Sequence, residues 1–190
     1  MRGLFFRRPL PRWRIFVQLI LWPTVAVFLA GEAGVRFNTT ASVPIGFYYI
    51  TSNPNAPFVE VCPPGPLGPL SLQRKYRQFA WLDRCADGGE GVLKTIIAHA
   101  GDLVETSLNG IRVNGSWIPN TAVAIRDSEG RPLAHWPFGR YRLKSATVWV
   151  ASSYNSKSFD SRYFGPVSIS DIKYHLQPLL AGRHGDGVKP

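Results

Sequence analysis

Cysteine, histidine and methionine are scarce in this sequence, which has two, four and one of them, respectively, among 190 residues. The two cysteines, Cys62 and Cys85, form no Cys-x-x-Cys motif, and the histidines are scattered. Structural and catalytic zinc sites are usually built from closely spaced cysteine and histidine ligands. The sequence therefore indicates neither a metal nor a cofactor, and each histidine is expected to be an ordinary surface or core residue.

Acidic residues are also few, with 12 of them against 22 lysines and arginines, for a net charge of +10. Five of the arginines precede residue 15, so the remainder of the chain carries 17 basic residues and an excess of only five. This mild excess forms no dense run and accompanies no helix-turn-helix, zinc-finger or RNP-like pattern. Nucleic acid is therefore not an expected partner.

Charge is missing altogether from Ile15 to Gly31, and this apolar run is about as short as a membrane-spanning helix can be. Basic residues 1–14 predict a cytoplasmic N-terminus, an anchor over residues 15–33 and an exported domain over residues 34–190. A cleaved secretory signal is the alternative, but its small-x-small site at residues 31–33 is poor. Both interpretations predict export.

An exported domain with an even number of cysteines favours a Cys62–Cys85 disulfide over two buried free thiols. Proline and glycine are frequent in residues 52–71, which argues against a helix there, and the best helix candidate of the domain follows at residues 72–82. Residues 52–90 would form a flap closed by the disulfide. The tail, residues 177–190, is expected to be mobile.

Short strands separated by turns are predicted for the rest of the exported domain. The strand candidates with the clearest pattern are residues 47–51, 58–61, 91–98 and 146–151. Two Asn-Gly turns, at residues 109–110 and 114–115, predict a meander of short strands between them. The predicted fold class is mainly β.

Three polar residues stand out in this apolar β pattern: Ser42, Lys94, and Asp160, which lies in a serine-rich loop after a strong strand. Ser42 lies among small residues just before Pro44 and Gly46, which suits an accessible nucleophile, although a polar turn leading into a strand would look the same. Lys94 lies at the centre of a strand pattern, so it either reaches water at a sheet edge or is buried with a lowered pKa. A neutral lysine can activate a serine, as in Ser-Lys dyads.

Three segments resemble, in order, the three successive boxes of type I signal peptidases: residues 40–48 around Ser42, 93–102 around Lys94, and 158–166 around Asp160. The Pro-x-Gly-x-Tyr form of the first box, the Cys-Pro-Pro at residues 62–64 and the small size are more similar to the TraF-type peptidases of conjugative plasmids. The resemblance extends over residues 38–167. It implies a signal-peptidase-like, β-rich catalytic domain behind one transmembrane helix.

The resemblance also implies a role for each matched residue. Ser42 would be the nucleophile and Lys94 the general base. The hydroxyl of Thr40 would help the Ser42 backbone N–H to hold the oxyanion. Ser158 would hydrogen-bond to Lys94 and orient it.

Asp160 and Arg162 match a pair that supports the site, and in TraF-type enzymes the aspartate is implicated in activity itself. The chain also departs from the general signal-peptidase pattern. Ser-Tyr-Asn-Ser occupies residues 153–156 in place of Gly-Asp-Asn-Arg, and Val43 stands in place of methionine. These departures favour a dedicated substrate over general preprotein processing.

The function implied is that of a bacterial inner-membrane serine endopeptidase whose catalytic domain faces the periplasm. It would process a propilin of a conjugative transfer, or type IV secretion, apparatus, with the propilin, the membrane and other proteins of the apparatus as partners. Some TraF-type enzymes join the pilin ends into a ring, so both hydrolysis and cyclisation stay open. A general leader peptidase and a non-catalytic assembly scaffold are the alternatives.

Overall fold

The computed structural model describes residues 11–81 and 84–182. Its helices are α1 (Arg12–Glu32), α2 (Leu67–Gln73) and α3 (Ser161–Phe164), with a 3-10 turn at Ile169–Asp171. Its strands are β1 (Val35–Asn38), β2 (Gly46–Thr51), β3 (Phe58–Val61), β4 (Val92–Ala98), β5 (Leu103–Ser107), β6 (Gly110–Val113), β7 (Ser116–Ile118), β8 (Gly139–Arg142), β9 (Thr147–Ala151), β10 (Val167–Ser168) and β11 (Ile172–Ala181). The predicted mainly β class, with one N-terminal apolar helix, is confirmed.

Helix α1 belongs to a separate unit of the chain, whose boundary lies between Arg36 and Phe37. Its residues Trp13–Glu32 have a mean hydropathy of 1.8 and are long enough to cross a membrane. The helix continues through Pro23. Length and composition suit a membrane anchor and a signal sequence equally well. Residues 1–10, which carry part of the predicted basic N-terminus, lie outside the described residues.

Two sheets make up the second unit. The larger sheet has the strand order β1-β2-β11-β3-β4-β9-β10, and the smaller has the order β7-β6-β5-β8. Strand β11 lies between β2 and β3, and pairs antiparallel with both. Strand β4 lies between β3 and β9, again antiparallel to both. The centre of the larger sheet is therefore built from strands that are far apart in the sequence.

Successive side chains of β9 point to opposite faces of the larger sheet, and this alternation explains how the two sheets pack together. Val148 and Val150 pack in one buried cluster with Val59 and Val61 of β3. Trp149 and Ala151 point to the opposite face, where they pack in a second cluster with residues of the smaller sheet, including Val104 and Ile111. Because successive side chains point to opposite faces, a strand that is buried on both faces needs apolar residues at every position. Strand β9 therefore lies between two cores.

The helix prediction for the flap was wrong in position. Helix α2 spans Leu67–Gln73, so it begins inside the segment where proline and glycine argued against a helix, and it ends where the predicted helix was to begin. Pro66 is its N-cap and Pro69 lies in its first turn, where backbone N–H groups have no intrahelical partner to lose. Beyond Gln73 the chain turns, and Arg77 is buried against Ser71 and the carbonyl groups of Gly68 and Glu90.

The tail prediction was also wrong at its start. Strand β11 continues through residues 177–181, and Ala181 pairs with Gly46 of β2. A register shift between Pro178 and Leu180 accommodates the proline. At Gly46, which has φ +151°, a Cβ atom would collide with the Leu180 carbonyl oxygen, so glycine permits this close approach. Residues 183–190 of the predicted tail lie outside the described residues.

The predicted Cys62–Cys85 disulfide is present, with a Cα–Cα distance of 5.7 Å. It joins the end of β3 to the chain beyond α2, and thereby closes the flap. Within the flap, the guanidinium of Arg77 pairs with the carboxylate of Asp87. Tyr76 of the flap lies against Phe159, with 5.5 Å between ring centroids. The flap is therefore packed against the segment that contains Ser158 and Asp160.

Removing the disulfide is expected to destabilise the protein. We expect the double variant Cys62→Ser, Cys85→Ser to lose about 3 kcal/mol of unfolding free energy, because the bridge restricts the unfolded chain over a separation of 23 residues. Urea denaturation of the full chain in detergent measures this loss. A reductant should lower the stability of the wild type by a similar amount and leave the double variant unchanged. Equal stability of the two oxidised proteins would contradict the prediction.

Candidate active site

Ser42 lies in the connection between β1 and β2, and the side chain of Asn38 holds this connection in shape. Asn38 Nδ2 donates to the carbonyl oxygens of Thr40, Val43 and Pro44 at 2.8, 3.2 and 3.1 Å. Asn38 Oδ1 accepts from the N–H and the hydroxyl of Thr40 at 3.1 and 2.8 Å. One buried amide therefore fixes the backbone on both sides of Ser42.

The residues after Ser42 are anchored in the core. Val43 packs in a buried cluster with Tyr48, Phe58 and Leu176, which belong to β2, β3 and β11. The hydroxyl of Tyr48 donates to the Pro44 carbonyl. Burial raises the pKa of Tyr48 to about 12, so this hydroxyl keeps its proton at all physiological pH values. The position of Ser42 is thus set by the larger sheet.

The hydroxyl oxygens of Ser42 and Ser158 lie 3.3 Å apart. The two residues are separated by 116 positions in the sequence, and their exposed fractions are only 8% and 3%. Either hydroxyl can donate to the other. The structure therefore brings together the predicted nucleophile and the residue predicted to orient the lysine.

Lys94 lies at the centre of the larger sheet, on β4 between β3 and β9, and is 4% exposed. Burial lowers its pKa to about 8 from the ordinary 10.5, while the Asp160 carboxylate raises the pKa and the Arg162 guanidinium lowers it. The alternative of a lysine that reaches water is thereby excluded. The Lys94 Nζ atom donates to the Leu93 carbonyl at 3.2 Å. Within the described residues, no hydrogen bond joins Lys94 to Ser42 or to Ser158, so the predicted Ser158–Lys94 hydrogen bond is absent from this part of the chain.

Asp160 and Arg162 form a completely buried ion pair. Arg162 Nε and Nη2 donate to the two carboxylate oxygens of Asp160 at 2.8 and 2.9 Å. Arg162 Nη2 also donates to the Ser158 carbonyl at 2.7 Å, and its Nη1 donates to the carbonyls of Ala122 and Ser156 at 2.8 and 2.9 Å. The pair therefore fixes the segment that carries Ser158, as expected for a bidentate arginine–carboxylate contact.

Ser152 is a site residue that the sequence analysis did not single out. Its hydroxyl donates to the carbonyl oxygen of Ser42 at 2.6 Å, and its backbone N–H donates to Asp160 Oδ2 at 3.2 Å. Ser152 directly follows β9, whose register pairs Ala151 with Thr95, the residue after Lys94. Its position after a strong strand was visible in the sequence, but its contact with Ser42 across 110 residues was not.

The predicted site residues differ in how they are placed. Ser42, Ser158, Asp160 and Arg162 are connected through hydrogen bonds, either directly or through Ser152. Lys94 lies near enough to Asp160 and Arg162 for both charges to affect its pKa. The Thr40 hydroxyl contacts Asn38. In the part of the chain that the structure describes, no cluster of three or more His, Cys, Asp and Glu side chains could hold a metal ion.

Replacing Lys94 with methionine is expected to stabilise the fold at neutral pH. The lowered pKa means that the unfolded chain binds more protons than the native one between pH 8 and 10.5, so wild-type stability rises with pH across this window. The lowering of the pKa from 10.5 to about 8 corresponds to a change of about 3 kcal/mol in unfolding free energy across this window. The stability of Lys94→Met lacks this pH dependence. Its gain in unfolding free energy over the wild type should therefore be largest below pH 8 and should decline by pH 10.5.

Urea denaturation at several pH values tests this prediction. The exposed Lys144→Met is the matched control, and its stability difference from the wild type should not vary with pH. A Lys94→Met protein that is less stable than the wild type at pH 7, or whose difference is constant with pH, would contradict a buried amine with a lowered pKa.

Comparison with known proteins identifies the family. The profile described as "Signal peptidase, peptidase S26" matches residues 13–177. Two proteins from Escherichia coli, each called "Plasmid transfer protein TraF", are similar to the chain. One is 34% identical over 172 residues (88% of this chain, 96% of the relative), and the other is 36% identical over 160 residues (82% and 89%).

A "Probable conjugal transfer protein TraF" from Sinorhizobium fredii is 35% identical over 153 residues, which are 77% of each chain. Among solved structures, a signal peptidase I from Enterococcus faecalis V583 aligns with 66% of this chain and 98% of its own, at 15% identity and a TM-score of 0.36. The family profile covers both the apolar helix and the β domain with the site described above. The chain therefore belongs to the signal peptidase family, peptidase S26.

Proposed function

We propose that this protein is a membrane-anchored serine endopeptidase of a conjugative transfer apparatus, with Ser42 as the nucleophile and Lys94 as the general base. The observation that carries the proposal is the buried site itself, in which the Ser42 and Ser158 hydroxyls meet at 3.3 Å and burial lowers the pKa of Lys94 to about 8. Family membership supports peptidase chemistry. The similarity to plasmid transfer proteins supports the role in conjugation.

In the proposed reaction, neutral Lys94 takes the proton of the Ser42 hydroxyl as Ser42 Oγ attacks the scissile carbonyl carbon. The ammonium group then gives this proton to the leaving amine, and an ester remains on Ser42. Water or an amine attacks the ester and releases the product. In the free protein, Lys94 Nζ donates a hydrogen bond to the Leu93 carbonyl. In the proposed reaction, the side chain has to turn from this carbonyl toward Ser158 and Ser42.

The oxyanion that forms on the carbonyl is stabilised, in this proposal, by the Ser42 backbone N–H and the Thr40 hydroxyl. The Thr40 hydroxyl donates to Asn38 Oδ1 in the free protein and has to rotate to reach the oxyanion. Asp160 and Arg162 hold the Ser158 segment in place, and Asp160 also adjusts the pKa of Lys94.

The proposed substrate is a propilin of the same transfer apparatus, reached in the periplasm while the protein stays in the inner membrane. Residues 1–14 would be cytoplasmic, residues 15–33 the anchor and residues 34–190 the periplasmic domain. An apolar helix that can span a membrane supports this arrangement. The departures from the general signal-peptidase pattern at Val43 and at residues 153–156 support one dedicated substrate.

Loss of either proposed dyad residue is expected to abolish propilin processing. Ser42→Ala removes the nucleophile and Lys94→Met the base, so each should lower kcat by about 10⁴-fold or more. Mass spectrometry of the pilin from cells that produce each variant measures processing. Lys144→Met replaces an exposed lysine and should process at the wild-type rate.

Processed pilin in the Ser42→Ala and Lys94→Met strains would contradict the dyad and favour a scaffold. Unprocessed precursors unrelated to conjugation in a deletion strain would favour a general leader peptidase. The same spectra distinguish the two fates of the ester, because a head-to-tail ring is lighter by one water than the trimmed linear chain.

The cleavage rate is expected to rise with pH toward a plateau, with a midpoint near pH 8. Lys94 is the base only when neutral, and its pKa of about 8 belongs to the free protein, so each pH unit below the midpoint should lower kcat/KM about tenfold. The purified full chain in detergent, with a peptide spanning the junction found by mass spectrometry, gives this profile. A rate that is constant from pH 6 to pH 9 would rule out Lys94 as the base.

A further inference from the structure

The hydrogen-bonding capacity of the Ser152 hydroxyl is completely used. This hydroxyl donates to the Ser42 carbonyl at 2.6 Å and accepts from the N–H groups of Tyr154 and Asn155 at 3.1 and 3.0 Å. A serine hydroxyl has one proton and two lone pairs. Because two backbone amides occupy the lone pairs, the proton is committed to Ser42. Ser152 is fully buried, so water does not compete for these bonds.

The backbone of Ser152 connects the same residue to the buried ion pair. Its N–H donates to Asp160 Oδ2 at 3.2 Å, while Asp160 Oδ1 accepts from Arg162 Nε at 2.8 Å. Within the described residues, no hydrogen bond joins Asp160 directly to Ser42. The shortest connection between them runs through Ser152.

We propose that Ser152 is a positioning residue that fixes the Ser42 backbone and couples the nucleophile to Asp160. This inference rests on the proposed function. The Ser42 carbonyl is held by Ser152, while Asn38 holds the carbonyls of Thr40 and Val43 on either side. With the backbone fixed in this way, the Ser42 side chain keeps its approach to Ser158. A nucleophile displaced by even about 1 Å loses much of its rate.

This arrangement gives Asp160 two separate effects. Through Ser152 its carboxylate helps to place Ser42, and through its charge it raises the pKa of Lys94. A change at Ser152 removes the first effect and leaves the second in place. Loss of the Ser152 hydroxyl is therefore expected to affect the rate without affecting the pH dependence.

The test compares Ser152→Ala with the wild type, using the purified full chain in detergent and the junction peptide from the processed pilin. We expect kcat to fall by about ten- to a hundredfold, KM to stay within about twofold, and the pH midpoint to stay near that of the wild type. Ser152→Thr keeps a hydroxyl and should recover part of the lost kcat. Asp160→Asn should instead move the midpoint to lower pH. The Asp160 carboxylate raises the pKa of Lys94, so its removal should lower that pKa.

Ser71→Ala is the matched control. Ser71 is also fully buried, and its hydroxyl also donates to a backbone carbonyl, that of Gly68 in the flap, but it does not contact Ser42. It should retain wild-type kcat whatever its stability. Urea denaturation of each variant gives the folded fraction, to which kcat is normalised.

Wild-type kcat per folded molecule in Ser152→Ala, or a shift of its pH midpoint like that of Asp160→Asn, would overturn the inference. Should Ser152→Ala not fold, Ser152→Cys fills the same space with a weaker donor. A reduced kcat at an unchanged midpoint then supports the inference, and an unchanged kcat refutes it. If the wild type cleaves no junction peptide, the proposed function fails, and this inference falls with it.

Discussion

The carboxylate of Asp160 and the guanidinium of Arg162 lie side by side without any exposed surface, and the candidate site is arranged around them. Removing two charges from water costs several kcal/mol for each ion, which their attraction alone does not reliably offset. Here the arginine also binds carbonyls of Ala122, Ser156 and Ser158, and the carboxylate binds the N–H of Ser152. These contacts connect loops that otherwise have no regular secondary structure. The ion pair thus fixes both segments that contact Ser42.

Lys94 shows the opposite relation between stability and function. The sheet buries its amine, which donates to the Leu93 carbonyl, and the fall in pKa caused by burial opposes folding at neutral pH. The same burial increases the neutral fraction of the amine, which the proposed role as general base requires. Strand β4 lies between β3 and β9, so Lys94 is not on a sheet edge from which its amine could reach water. Functional residues commonly lower the stability of the fold that holds them.

Local patterns in the sequence were sufficient for much of the fold. The apolar helix, the disulfide and the strands β2, β3, β4 and β9 follow from hydrophobic runs, cysteine count and alternation. Helix α2 was missed because its prolines occupy the N-terminal turn, where proline is tolerated. The end of β11 was missed because Gly182, Gly185 and Gly187 suggested a loose tail, whereas residues 177–181 pair with β2. Ser42, Lys94 and Asp160 stood out in the sequence and the resemblance suggested their roles, but Asn38 and Ser152 were given no role, since their hydrogen bonds depend on tertiary contacts.

Strand β11 has a consequence for the order of assembly. It follows every other strand along the chain, yet it lies between β2, which begins just after the Ser42 turn, and β3, which pairs with the strand of Lys94. The larger sheet is complete only after this last strand has inserted between β2 and β3. Such non-local pairing is slow to form. On the proposed function, the site would therefore stay incomplete until residues 172–181 have joined β2 and β3 in the larger sheet.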